Sequence, residues 1–384
     1  MINKNRLIKL TQDLLRINSE NPPGNEAAIA RFVSGYLKKI GIRPKIIGFY
    51  PNRDNVLAVL PGRKSKRPLL ITPHLDTVPA GKGWRFGPFS GTISGGKIFG
   101  RGATDCKGNL AVALEAMQSL LEDNVHLDND IIFLATADEE AGSGKGLIPF
   151  LDRGIVRPAY AVILDSDEFN IITAQKGLIH FKVKVAGLKA HGAYPQRGVN
   201  AIEHALMLIG ILKKMKFKAY RRHSLLKPPT INIGTIRGGD KVNMVADWCE
   251  FEVDLRFLPG MEAQKILTGI KKGLAKARPK VNFTIQPEDI QQPYEIGRKH
   301  PLVESLKKAS YGIVRRSDVK GSEGATVITF FKKKNIPAVA TGYGAKGCAH
   351  ATDEYVRVND LYRGARVLER FIKIFDVDEL IKRV

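Results

Sequence analysis

One histidine and four carboxylates, His74, Asp76, Glu139, Glu140 and Asp165, stand at or just beyond the ends of apolar, strand-like runs. A further acid, Asp105, lies in the glycine-rich stretch Gly100-Arg101-Gly102-Ala103-Thr104-Asp105-Cys106-Lys107-Gly108, and a second histidine, His350, stands much later in the chain. Imidazoles and carboxylates without a requirement for thiolate suit zinc, cobalt or manganese. A single zinc needs three protein ligands and a water, whereas this set offers more. Two ions about 3.5 to 4 Å apart would use it, with one carboxylate shared between them. Asp76, two residues after His74, falls on the same side of a continuing strand, where it can accept a hydrogen bond from the second imidazole nitrogen.

The elements around these residues are those of an α/β fold. Leu69 to Thr72, Ile131 to Ala137 and Tyr160 to Leu164 read as strands, the latter two apolar enough to be buried on both faces. They alternate with helical patterns, one beginning after Asp105 with Leu110, Ala113, Leu114, Met117, Leu120 and Leu121 on one face. In open α/β sheets ligands bind outside the carboxyl ends of the strands, which gathers the acids and His74 along one rim. Upstream, a short helix ends at the turn Asn21-Pro22-Pro23-Gly24, and a second spans residues 25–40 with Gly41 as its C-terminal cap. Trp84 to Gly102 reads as loops and a hairpin.

After Lys176 the pattern changes to strand, helix, two strands, helix, strand, which packs most economically as two helices on one face of a small antiparallel sheet. Such a unit keeps an open edge for another copy of itself. The first pattern returns near Tyr294. The expected organisation is a discontinuous catalytic domain, residues 1–176 and 291–384, interrupted by an α+β domain at 177–290.

Composition excludes several classes. The 384 residues are 43% hydrophobic and carry a net charge of +23. The basic residues are dispersed, with clusters at Arg63 to Arg67, Lys213 to Arg222 and Lys332 to Lys334. None is interleaved with aromatics as base stacking requires, so specific nucleic-acid binding is not expected, although polyanions should adhere at low salt. Three scattered cysteines fit a reducing compartment. No signal-peptide core or span of about 20 apolar residues occurs, so the expectation is a cytoplasmic protein without a membrane partner.

Four motifs then make a resemblance specific: His74-Leu75-Asp76-Thr77-Val78-Pro79, the Gly100 to Gly108 stretch, Asp138-Glu139-Glu140, and His350-Ala351-Thr352-Asp353-Glu354-Tyr355. In this order they resemble the dinuclear-zinc amidohydrolases, the family of acetylornithine deacetylase, succinyl-diaminopimelate desuccinylase, aminoacylase and glutamate carboxypeptidase. The resemblance implies a zinc-peptidase-like α/β catalytic domain with a mixed sheet and an inserted lid and dimerisation domain. It implies two divalent ions, zinc or alternatively cobalt or manganese, bridged by Asp105, with His74 and Asp165 completing one site and Glu140 and His350 the other. Glu139 becomes the general base, and His191 the residue that reaches a partner subunit's site to stabilise the oxyanion. Asn243 and Arg256 match contacts to a substrate carboxylate, and the Asp105–Cys106 peptide bond should be cis. The implied substrate is an N-acyl amino acid, or for a dipeptidase or carboxypeptidase a short peptide, and the implied assembly is a homodimer. Two departures matter. Asp165-Ser166-Asp167 stands where the family usually has Glu-Pro-Thr, and Gly321-Ser322-Glu323-Gly324-Ala325 is closer to acetylornithine deacetylases than to desuccinylases, with Glu323 placed to meet a substrate amine.

Overall fold

Four apolar runs, Leu69–Thr72, Ile131–Ala135, Tyr160–Leu164 and Ala338–Thr341, are almost entirely buried along their whole length. Strands covered on both faces need such uninterrupted apolar sequence, and parallel pairing supplies the coverage. In the computed structural model, which describes residues 1–63, 67–217 and 222–375, they lie side by side and parallel in the order Ile131–Ala135, Leu69–Thr72, Tyr160–Leu164, Ala338–Thr341. Leu70 faces Ile132 on one side and Ala161 on the other. Lys64, Ser65 and Lys66 of the first basic cluster and residues 218–221 of the second lie outside the described residues.

The sheet is mixed, as the resemblance implied. Asp54–Leu60 runs antiparallel to Ile131–Ala135, and Lys45–Gly48 antiparallel to Asp54–Leu60. Only a few residues join these two outer strands, too few for the crossover that parallel pairing demands. Lys45–Gly48 and the antiparallel strand Ile171–Gln175 were not expected from the sequence. The first is a short, exposed edge with no alternation to reveal it.

Helix Lys107–Glu122 is buried on nearly every side and packs against Lys4–Leu15 and Val358–Ile374. Its start lies so close to the preceding loop that a Cβ on Gly108 would fall 2.2 Å from the Ala103 carbonyl oxygen. Helix Ala27–Lys39 ends before Gly41, whose φ of +88° is the left-handed conformation expected of it. The hairpin Thr92–Ser94 and Lys97–Phe99 gains a third strand from Tyr355–Arg357.

The chain forms two units. The first comprises Met1–Thr173, Ile296–Lys320 and Phe330–Val384, and the second Ala174–Glu295 with Gly321–Thr329. In the second, four antiparallel strands follow the order Thr230–Gly238, Trp248–Phe257, Gly177–Ala186, Asn282–Gln291. Alternation along Gly177–Ala186 buries Ile179, Phe181, Val183 and Val185. Helices Ala201–Lys214 and Ala263–Leu274 complete that core through Leu208, Leu212, Ile266 and Ile270. Among the described residues, no helix is long and apolar enough to cross a membrane.

Candidate metal centre

The carboxyl ends of the central strands carry the chemistry. His74 follows Leu69–Thr72 by one residue, Glu139 and Glu140 follow Ile131–Ala135 through a short turn, and Asp165 directly follows Tyr160–Leu164. Asp105 comes from the glycine loop, where Gly102 at φ +91° makes a turn that side-chain-bearing residues resist. His350 lies beyond Ala338–Thr341 and itself has φ +63°. The Asp105–Cys106 peptide bond is cis.

These side chains form two clusters. His74, Asp105 and Asp165 make one, Asp105, Glu140 and His350 the other, and within each the potential ligand atoms lie within 4.8 Å of one another. Asp105 belongs to both. Its Oδ1 is 2.9 Å from His74 Nε2 and its Oδ2 3.2 Å from His350 Nε2, which is also 3.1 Å from Glu140 Oε2. Among the described residues, Glu140 Oε1 is buried without a hydrogen-bond partner. A buried carboxylate oxygen left open among other acids is suited to a cation, and the mixed imidazole and carboxylate donors match divalent zinc, cobalt or manganese.

Asp76 orients this group through a different contact from the one the sequence suggests. His74 Nδ1 is 3.0 Å from the Asp76 carbonyl oxygen and 3.5 Å from its Oδ1. The carboxylate is occupied elsewhere: it accepts the Glu139 and Glu140 amides at 3.1 Å each and Asn21 Nδ2 at 2.9 Å. Asp76 therefore braces both the imidazole and the turn bearing the two glutamates.

The sequence reading assigned no role to Glu354. Its buried carboxylate accepts the amides of Gly102, Thr104 and Asp105 at 3.0, 2.8 and 2.9 Å and pairs with Arg101 Nη1 at 2.7 Å. The available signal was the complementary charge of Arg101 and Glu354 within two motifs already marked for function. Removing one partner of a buried ion pair costs about 3–5 kcal/mol. Glu354→Ala should therefore lower the unfolding free energy by about that amount in denaturant titrations. A loss below about 1 kcal/mol, the scale of a surface pair, would reject the clamp.

In the second unit His191 and Asn243 are neighbours, with the Gly192 amide donating to the Asn243 carbonyl at 2.8 Å. A Cβ on Gly192 would sit 2.9 Å from that carbonyl oxygen, so the approach requires glycine. His191 Nδ1 accepts the Ala193 amide at 3.0 Å, which puts the proton of the neutral ring on Nε2. Arg256 is held by Asp254 through Nε and Nη2 at 2.7 and 2.8 Å. Glu323 pairs with the buried Lys176 Nζ at 2.6 Å and accepts the Lys227 amide at 2.9 Å, so a substrate amine would compete with an existing cation.

Crowded acids shape the electrostatics. Burial, then the charge of Asp165, raises Glu139 well above the usual carboxylate range. Burial, then Asp105, pushes Asp165 up to about 7. Hydrogen bonds to Asp105 and Glu140 raise His350 to about 10. Burial opposes ionisation of Asp105, but hydrogen bonds from His350 and His74 outweigh it and hold that carboxyl low. Burial pushes Cys106 up to about 12, leaving a neutral thiol at pH 7, as suits a packing residue.

These shifts give the metal-free protein a definite pH response. Asp165 holds a proton in the folded chain that it releases in the unfolded one, so stability falls from pH about 4 to 7. His350 stabilises the fold below about pH 6.5 and loses that contribution through about pH 10. Asp105 acts oppositely, losing its contribution only in acid. Without metal the melting temperature should fall between about pH 5 and 7, whereas above about pH 7 Lys107, which burial pushes down to about 7, adds stability as His350 loses it. Added zinc should raise it most at the alkaline end, because binding competes with protons. A metal-free curve flat or rising between about pH 5 and 7 would contradict these shifts.

Comparison with known proteins follows the same lines. The profile of peptidase family M20/M25/M40 matches residues 70–374. The chain is 28% identical to the acetylornithine deacetylase of Proteus mirabilis (strain HI4320) over 391 residues, covering 98% of this chain and 97% of that protein. Against the acetylornithine deacetylase of Salmonella paratyphi B (strain ATCC BAA-1250 / SPB7), identity is 31% over 340 residues, or 86% of each chain. Among solved structures, aminopeptidase PepT from Bacillus cereus ATCC 10987 matches with a TM-score of 0.82 at 25% identity, covering 97% of this chain and 98% of that one. A dinuclear metal binding peptidase from Bacillus subtilis shares the fold, with a TM-score of 0.74 at 15% identity over 97% of this chain and 98% of that one.

Proposed function

The chain belongs to peptidase family M20/M25/M40 and is a metal-dependent amidohydrolase, and from that premise we propose that it cleaves the amide bond of an N-acyl amino acid, as acetylornithine deacetylases do. One observation carries the reading of the site: two ligand clusters share Asp105. Asp105 would bridge two divalent ions, with His74 and Asp165 on one and Glu140 and His350 on the other. When bound, such ions polarise the scissile carbonyl and acidify a water.

The remaining steps belong to the protein. Glu139 adjoins Glu140 but lies outside both clusters, which leaves its carboxylate free to take a proton and pass it to the leaving amine. His191 presents Nε2–H to the developing oxyanion, and Arg256 and Asn243 hold the substrate carboxylate. The histidine serving each centre comes from the other protomer of a homodimer. Support for that assembly is the set of exposed apolar side chains in the second unit, Leu188, Leu206, Ile236 and Val242. Sedimentation should give twice the chain mass, and Leu206→Glu should shift it toward monomer with a parallel loss of activity. Three free, buried cysteines suit a reducing compartment such as the cytoplasm.

The runner-up is a dipeptidase or other peptidase using the same ligands, favoured by the match to aminopeptidase PepT. Zinc-loaded protein assayed on N-acetylornithine, N-succinyl-diaminopimelate and a set of di- and tripeptides separates the two. The deacylase reading expects the highest kcat/KM on an N-acyl amino acid; faster cleavage of any peptide would overturn it in favour of the peptidase.

A further inference from the structure

We infer that Glu26 and Arg53, residues with no assigned role, are positioning residues that hold the Asp138-Glu139-Glu140 turn in its reactive geometry. The inference rests on the reading of Glu139 and Glu140 given above. Both residues are buried, at 0% and 4% exposure. Glu26 takes Arg53 in a two-pronged contact, Nε to Oε2 and Nη2 to Oε1, each at 2.7 Å. From there the network runs directly to the turn. Arg53 Nη2 donates to Asp138 Oδ1 at 2.8 Å, and the Asp138 amide donates to Glu26 Oε1 at 3.2 Å. The other Asp138 oxygen accepts the Lys145 amide at 2.9 Å, beyond the two glutamates. Asn21, bound to Asp76 at 2.9 Å and 3.5 Å from Asp138 Oδ1, joins this network to the carboxylate that receives the Glu139 and Glu140 amides.

Asp138 needs this support. Its φ is +65°, a left-handed conformation that a residue with a side chain keeps only when its surroundings impose it. Here the main chain and both carboxylate oxygens are held by hydrogen bonds, and Glu139 is the next residue. Among the described residues, no hydrogen bond of Glu26 or Arg53 reaches a side chain of either ligand cluster. Their influence therefore passes through the turn. The segment Asn21-Pro22-Pro23-Gly24, which reads in sequence as a simple turn, makes room for the pair: a Cβ on Gly24, at φ +82°, would fall 2.2 Å from Arg53 Nη1. A buried ion pair is often replaceable by apolar side chains without loss of stability, so stability alone is a weak reason to keep one. Fixing the direction of two adjacent acids is a stronger one, since misplacement by about 1 Å can cost roughly 100-fold in rate.

The test uses the full chain with Arg53→Lys, which keeps the charge and loses the fork, and Glu26→Gln, each alone and combined with Glu139→Gln. Zinc affinity is read by calorimetric titration, and kcat and KM on N-acetylornithine or the best substrate of the panel. Each single variant should lose about 10- to 100-fold in kcat with KM little changed, and should bind one of two zinc ions about tenfold more weakly. In the Glu139→Gln background the same changes should lower kcat much less, because the residue they position has gone. A loss confined to KM, or unchanged zinc affinity with the same kcat factor in both backgrounds, would overturn the inference. Unimpaired kcat in Glu139→Gln alone would instead reject Glu139 as the base, and the zinc affinities of the folded Arg53 and Glu26 variants would then decide their effect on Glu140. Should Arg53→Lys fail to fold, Glu26→Gln carries the same measurements.

Discussion

Glu139→Gln should lower kcat by roughly 100- to 10,000-fold, the range for losing a general base, while two metal ions remain bound. The substitution preserves size, and the main-chain amide stays on Asp76 Oδ1, so the turn should keep its course. Glu139 stands outside both ligand clusters, and burial with the nearby charge of Asp165 raises its proton affinity. Cations at the two clusters would offset the negative charge that burdens it, bringing the carboxylate toward the range where it can both accept and release a proton near neutral pH. Steady-state kinetics with metal analysis of the same sample checks the expectation. Wild-type turnover would remove Glu139 from the mechanism. Loss of an ion would make it a ligand.

Asp105→Ala should abolish binding at both sites, whereas His350→Ala should weaken only one. Asp105 is common to the two clusters and His350 belongs to one. The loop should survive the Asp105 change, because its hold on Glu354 is made by main-chain amides at residues 102, 104 and 105. Zinc titration should show each affinity reduced by more than the roughly 10- to 100-fold typical of losing a residue that only supports a ligand, with hydrolysis lost as a result. Two tightly bound ions in Asp105→Ala would end the bridging assignment.

The rim of the sheet was readable because three of the four central strands, Leu69–Thr72, Ile131–Ala135 and Tyr160–Leu164, are apolar runs that give way within a few residues to an ionisable one. Helix period, strand alternation and glycine turns likewise announced the second unit, from Ile179 and Phe181 facing inward to the helices that cover them. Contacts between distant residues with no periodic signature were not readable. Glu354 meets the Asp105 amide across 249 positions, and Glu26 meets the turn before Glu139 from 112 positions away. Asp76 illustrates the intermediate case. Its place beside His74 followed from strand geometry, but its carboxylate serves the Glu139 and Glu140 amides, and nothing in local spacing reveals that. The edge strand Lys45–Gly48 escaped notice because an exposed edge has little apolar pattern to detect.

The Glu354 clamp also orders events during synthesis. Chains emerge at about 5–20 residues per second, and the stretch Ala174–Glu295 of the second unit lies between Asp105 and the segment His350 to Glu354. A nascent chain that has passed Asp165 already contains His74, Asp105 and Asp165, but neither the other histidine nor the carboxylate that fixes the Asp105 loop. The proposed pair of sites could be completed only once the segment His350 to Glu354, 249 positions beyond Asp105 at its far end, has left the ribosome, which would defer capture of a second ion until the fold around it is in place.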